Sequence, residues 1–135
     1  MFISRELDYA FRIIRALARQ GDCVVVSQMC ADEALPQPYS YKILKKLERA
    51  SMVKAYPGVN GGYQLIASPQ ALTIYDVYRA IEGNLCINKC MKDEYSCANM
   101  QHNNRCAIHN ELILIQDDII NAMKQHTLAE ILNKG

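Results

Sequence analysis

Between Arg5 and Gln20 the apolar residues Leu7, Ala10, Phe11, Ile14, Leu17 and Ala18 recur three and four apart, while Arg12, Arg15 and Arg19 fall on another stripe. That period predicts an amphipathic helix, ended by Gly21-Asp22. Cys23 to Val26 is a short extended apolar run, and Ser27 is placed to cap a second helix reaching about Leu35. Pro36 and Pro38 forbid continuation and make a turn. A helical pattern resumes over 39–51, with Lys42, Lys45, Lys46 and Arg49 on one face and Ile43, Leu44 and Leu47 on the opposite side.

The pattern then changes to strand, turn, strand: Met52 to Tyr56, the glycine-rich stretch 57–62, and Tyr63 to Ala67. Asn60-Gly61 is a hairpin signal. Thr73 to Asp76 reads as a capping box, with Asp in place of the usual Glu, opening a helix to about Glu82 that Gly83 stops. Residues 84–105 have no periodicity and are rich in Asn, Cys and Lys. Residues 106–125 form a long helix whose apolar face, including Leu112, Ile115, Ile119 and Met123, is wider than one small domain needs. Such a face calls for a partner. Thr127 is placed to cap a last short helix to about Leu132. The expected fold is mainly α with a small β-hairpin wing. A winged helix-turn-helix covers 1–83, a cysteine-rich sensor loop 84–105, and a dimerisation helix with a C-terminal tail 106–135.

Charge adds a direction to this layout. The chain of 135 residues has a net charge of +1, but residues 1–66 hold nine Lys/Arg against six Asp/Glu, and residues 67–135 hold six against eight. The basic half is the DNA-facing half. Met1 is followed closely by Arg5, Glu6, Asp8 and Arg12, so no leader is visible. No apolar run is long enough to span a bilayer. The expected location is cytoplasmic, with no membrane partner. Six cysteines in a reducing compartment point to metal or redox chemistry rather than to a disulfide scaffold. Cys23 and Cys30 read as core residues; the other four lie between Cys86 and Cys106.

Two constellations carry chemistry. In the first, Lys42, Lys45, Lys46 and Arg49 neutralise DNA phosphates, Tyr39, Ser40 and Tyr41 near the helix start reach base edges, and the hairpin tip at Asn60 and Gly61 lies against the backbone or minor groove. The charge stripe alone would equally serve as a solvated face; the order of elements favours DNA. The second is Cys90-x6-Cys97-x8-Cys106-x2-His109, with Cys86 just upstream. Thiolates are the natural ligands of iron–sulfur clusters, with histidine an occasional substitute. Cys106 and His109, three apart at a helix start, face one site, and the helix N-terminus favours an anionic cluster. Unbound thiols and structural zinc are the alternatives. No catalytic triad, nucleotide loop or paired-carboxylate pattern is present, so the chain is not expected to be an enzyme.

Several of these pieces together resemble one family. They are Asp8-Tyr9-Ala10, Gly58-x-x-Gly61-Gly62-Tyr63-x-Leu65, the run from Thr73 to Gly83, three cysteines followed by a histidine, and Thr127 to Leu132. They are similar to the winged-helix regulators that include IscR, NsrR and CymR, over essentially the whole chain. The resemblance implies a homodimer joined by the long helix, two recognition helices in successive major grooves of a partly palindromic double-stranded operator, and a cluster whose state alters DNA affinity. It implies an iron–sulfur cluster on Cys90, Cys97 and Cys106, 2Fe–2S favoured and 4Fe–4S the alternative. The fourth ligand is His109, as in IscR-like members, or Asp8 from the partner subunit, as in NsrR-like members; His109 is favoured because its offset from Cys106 is local. Three positions depart from the family pattern. Pro57 stands where members often carry an arginine, the cysteine spacing is longer, and Cys86 has no family counterpart. Two other readings stay open: a cluster-free regulator of this fold controlled by thiol oxidation or a protein partner, and a small iron–sulfur or zinc carrier with no DNA role.

Overall fold

A computed structural model of the protein describes residues 2–92 and 106–133. Its elements run α1 (Arg5–Gln20), α2 (Val26–Glu33), α3 (Gln37–Arg49), β1 (Val53–Tyr56), β2 (Gly62–Leu65), α4 (Ile74–Glu82), a single 3₁₀ turn at Lys89–Met91, α5 (Ala107–Lys124) and α6 (Leu128–Asn133). The fold is mainly helical, with one antiparallel hairpin. Its core is built from the inward face of α1 (Leu7, Ala10, Ile13, Ile14, Leu17), from Ile43, Leu44 and Leu47 of α3, and from Val53, Val77 and Ile81. Each of these side chains is almost fully removed from water, worth roughly 1.5–3 kcal/mol apiece for the larger ones.

Caps fix the helix ends. The Ser4 side chain accepts from the Leu7 amide, and Gly21 closes α1 at φ 71° with its N–H on the Leu17 carbonyl. In that left-handed conformation a Cβ would be strained. The expected capping box is present at α4: Thr73 accepts from the Asp76 amide, and Asp76 accepts from the Thr73 amide at 2.8 Å. α2 differs from expectation. It starts at Val26, with Val25 in the cap position and no side-chain cap, so Ser27 lies inside the helix. α3 also starts earlier, at Gln37, with Pro38 in its first turn, where the missing N–H costs nothing.

The hairpin is pinned to the body. β1 and β2 pair with Val53 opposite Leu65 and Tyr56 opposite Gly62. The intervening loop therefore spans residues 57–61, within the expected stretch 57–62, and Gly58 takes the positive φ of 102°. Val24 exchanges both backbone hydrogen bonds with Tyr63, at 2.8 and 3.0 Å. A Cβ on Gly62 would stand 2.0 Å from the Val24 carbonyl oxygen, so only glycine lets the two backbones approach.

The C-terminal segment returns to this core. The amides of Leu128 and Ala129 donate to the carbonyls of Leu72 and Pro69, and Leu128 is buried with the α1 and α4 residues. Among the described α-helices only α5 stands apart: none of its residues is buried. It is tied down on one side by Gln116, whose Oε1 accepts from the Ile87 amide at 3.0 Å, and by Lys124, whose ammonium lies over the Tyr75 ring.

Candidate nucleic-acid interface and cysteine site

α2 and α3, joined through Ala34 to Pro36, make a helix-turn-helix, and the hairpin follows as a wing. The exposed arc of α3 carries Gln37, Tyr41, Lys42, Lys45 and Arg49. Three of the four basic residues expected to meet phosphate therefore stand free in solvent. Lys46 does not: its ammonium lies 2.7 Å from the Glu6 carboxylate of α1, with both side chains largely covered. Its position on the edge of the helix turns it toward the body of the protein, and it serves first to hold α3 on α1.

The three residues expected at base edges separate. Tyr41 is exposed. Tyr39 is half-buried and packs edge-on against Tyr9, ring centroids 5.6 Å apart. Ser40 is fully buried, and its hydroxyl donates to the Pro36 carbonyl at 2.9 Å. The reading of Ser40 as a base-contacting residue is thereby corrected: it lies three, four and seven residues before Ile43, Leu44 and Leu47, on the core face of α3. Gln37 and Ser27, not picked out from the sequence as DNA-facing, share a cleft of about 480 Å³ with Tyr41 and the wing residues 55–63. Placing the start of α3 at Pro36 would have revealed Gln37. Asn60 and Gly61 are in the wing loop as expected; the Asn60 carbonyl lies 3.9 Å from the Cys23 sulfur. Cys23 is half-buried rather than part of the core, whereas Cys30 is buried.

The second site lies where the 3₁₀ turn meets the start of α5. Cys90 Sγ is 3.2 Å from His109 Nδ1. Cys106 is the N-cap of α5, its sulfur accepting from the His109 amide at 3.4 Å. The structure thus brings Cys90, from the turn, to the His109 ring, while Cys106 meets His109 through its backbone amide. Cys86 sits just before the turn, its sulfur 3.9 Å from the Met91 carbonyl. Cys97 lies outside the described residues. Among the described residues no group of three ligating side chains closes on one point. The donors present, thiols and an imidazole at a helix N-terminus, are of the type that holds iron–sulfur clusters. Asp8 is elsewhere, on the half-exposed face of α1, in an ion pair with Arg12 at 2.9 Å.

Along α5 a further row stands out. Ile108, Leu112, Ile115, Ile119 and Ala122 follow a four–three spacing, the seam of a coiled coil. Ile108 and Ile115 keep 69% and 43% of their surface in water. Ile108 and Ala122 extend the set expected from sequence, while Met123 is half-buried on its flank.

A helix-turn-helix with a cationic exposed face, completed by a wing, defines a winged-helix DNA-binding protein. The chain belongs to the Rrf2 family of iron-dependent transcriptional regulators, which it matches over residues 3–134. A protein of Aquifex aeolicus described as an HTH-type transcriptional regulator is 23% identical over 134 residues, spanning 98% of this chain and 92% of that one. A second, from Synechocystis, is 33% identical over 87 residues, covering 63% of this chain and 59% of its own length. Among solved structures, CymR, the global cysteine regulator of B. subtilis, superposes with a TM-score of 0.77 at 22% identity, covering 100% of this chain and 98% of that one. T. potens IscR superposes at 0.74 with 20% identity, covering 99% and 88%. At these identities the superpositions carry the fold. The relatives are transcriptional regulators, not enzymes, and this chain is a transcription regulator.

Proposed function

We propose that the protein is a homodimeric regulator that binds a two-fold operator through α3 and the wing, and that an iron–sulfur cluster on Cys90, Cys97, Cys106 and His109 sets its DNA affinity. The observation that carries this reading is the 3.2 Å approach of Cys90 to His109 beside the N-cap Cys106, at the foot of the helix that bears the apolar seam. The family's description as iron-dependent supports an iron cofactor. The cluster, when bound, supplies a redox- and iron-responsive centre; 2Fe–2S is favoured over 4Fe–4S.

The chain's own residues give a route from that centre to DNA. Thiolates at 90, 97 and 106 would tie the segment after α4 to the first turn of α5. The Gln116–Ile87 hydrogen bond already couples the same segment to the middle of that helix. α5 in turn meets its symmetry mate along the seam, so a change at its foot alters the separation of the two recognition helices. His109, an imidazole among thiolates, would be the set's one nitrogen ligand and so the point at which it differs most from an all-cysteine site. Asp8 from the partner subunit is the alternative fourth ligand. The chain has no described helix long and apolar enough to cross a membrane, and the cytoplasm is the compartment in which a DNA-binding regulator of this chemistry operates.

Anaerobic purification followed by iron and acid-labile sulfide analysis tests the cofactor. Stoichiometric iron and sulfide with visible absorbance are expected. A colourless protein that takes up no iron on reconstitution but binds an operator would leave the thiol- or partner-controlled regulator. The likeness in fold to CymR, a cysteine regulator, is the observation that favours that second reading.

A further inference from the structure

Asp8, Phe11, Arg12 and Arg15 fall three and four apart and so share one face of α1. Opposite that face the C-terminal helix is fixed at its start. The Leu128 and Ala129 amides donate to the Leu72 and Pro69 carbonyls, and the Thr127 hydroxyl accepts from the Glu130 amide at 3.2 Å. Between α1, the start of α4 and α6 lies a cavity of about 220 Å³. Phe11, Ile14, Val77, Leu128 and Ile131 are among its apolar walls, and Asp8, Arg12 and Arg15 bring charge to it. Protein interiors leave few voids larger than a water molecule. An apolar cavity of roughly 150 Å³ is already enough to admit benzene.

The two arginines differ in how they are satisfied. Arg12 pairs with Asp8 at 2.9 Å, both side chains being well exposed, so the contact holds weakly. Arg15 gives Nη2 to the carboxylate of Glu33, the last residue of α2. Its Nε, however, is shut off from water and has no acceptor among the described residues. A buried donor stripped of water without a partner is costly, and a native fold keeps few of them. The partner that removes the cost is an acceptor, and an anionic oxygen binds a guanidinium N–H most strongly. The apolar walls disfavour a sugar or a phosphate, whose polar groups would go unpaired there. We propose that the cavity binds a small carboxylate with a benzene-sized aromatic or branched aliphatic body, the body among the apolar walls and the carboxylate on Arg15 Nε. Occupancy reaches the helix-turn-helix through the same guanidinium. The ligand competes with Glu33 for Arg15, loosens α2 from α1 and lowers operator affinity. That consequence rests on the DNA-binding reading above; the site itself does not.

The full-length protein is titrated calorimetrically with 3-phenylpropanoate and 4-methylpentanoate, and with the primary amide of each. Both acids should bind saturably, one per protomer, and each amide about tenfold or more weakly, having lost the charge-assisted contact. Arg15→Gln should abolish the difference between acid and amide. Ile131→Trp, which fills the cavity from α6, should abolish binding of all four compounds, with folding read by circular dichroism. Should that variant not fold, the acid–amide comparison in wild type and Arg15→Gln still decides. With either acid at saturation, affinity for an operator selected from random duplex should fall about fivefold or more. A wild type that binds neither acid would overturn the site, and a dimer weakened by Ile131→Trp would then assign the cavity to a second copy of the chain. Equal affinity for acid and amide, or a difference retained in Arg15→Gln, would overturn the carboxylate assignment. Unchanged operator affinity at saturation would overturn the coupling to DNA. Failure to bind any duplex would overturn the DNA-binding reading and leave the site standing.

Discussion

Replacing Ile115 with lysine places a charge in the middle of the proposed dimer seam. Complete burial of an isoleucine side chain is worth roughly 1.5–3 kcal/mol. With 43% of the Ile115 surface still in water, its remaining burial in a dimer is worth about 0.6–1.3 kcal/mol per copy. Two-fold symmetry doubles this to about 1.3–2.6 kcal/mol, before any cost of drawing two ammonium groups together. At 1.4 kcal/mol per factor of ten, the dimer dissociation constant should rise by about ten- to a hundredfold. The protomer should remain folded, since no residue of α5 is buried. Sedimentation equilibrium reads the association and circular dichroism the helix content; operator binding should fall in parallel as the second half-site is lost. An Ile115→Lys protein that stays folded and dimerises as tightly as the wild type would refute the seam. So would a wild type that is monomeric at micromolar concentration.

Other expectations follow from single contacts. Lys42→Ala, Lys45→Ala and Arg49→Ala should each weaken binding to all sequences and lower the salt slope by about 0.9, as measured by titration at several salt concentrations. Lys46→Ala should instead cost about 1 kcal/mol or less of stability through loss of the part-exposed Glu6 pair, with a smaller change in slope. His109→Ala should perturb the visible spectrum of the loaded protein more than Asp8→Ala does; the reverse order would assign the fourth ligand to the partner's aspartate. Burial raises the Tyr63 phenol above its ordinary value of 10.0, with Glu48 adding to the effect. The fold therefore favours the neutral phenol. Its contribution to stability is complete below pH 10 and is lost as pH rises through the raised value. Tyr63→Phe should flatten the alkaline fall in melting temperature, and an unchanged fall would remove Tyr63 as its cause.

What could be read from the sequence was what local chemistry decides. The Thr73–Asp76 box and the stop at Gly83 depend on residues within a turn or two and appear where expected, and the α1 stripe does so at Leu7, Ala10, Ile14 and Leu17, with Ile13 buried beside them and Phe11 and Ala18 on its margin. The departures come from partners distant in the chain. Lys46 looks like any phosphate-binding lysine until Glu6, forty positions earlier, meets it across the α1–α3 contact. Ser40 was misread because its place near the helix start was weighed above its period: it stands three, four and seven residues before Ile43, Leu44 and Leu47, and so on the core face. The glycine-rich stretch 57–62 marked the hairpin, but the close approach of Val24 to Gly62 could be known only once the wing was folded onto the body. At the cysteine site the three-residue offset of Cys106 and His109 was legible. Cys90 was named with them; the 3₁₀ turn that carries it was not read, because no periodicity marks residues 84–92.

The central claim, that the cysteine site controls DNA binding, is tested most directly by one titration. A single anaerobic preparation is divided, the cluster is removed from one half by chelation, and both halves are titrated against the same fluorescent operator at fixed salt, with dimerisation checked in each. The account predicts that both halves remain dimeric and that their operator affinities differ by about tenfold or more, the usual size of a coupling between two sites. Equal affinity in the two halves would contradict it.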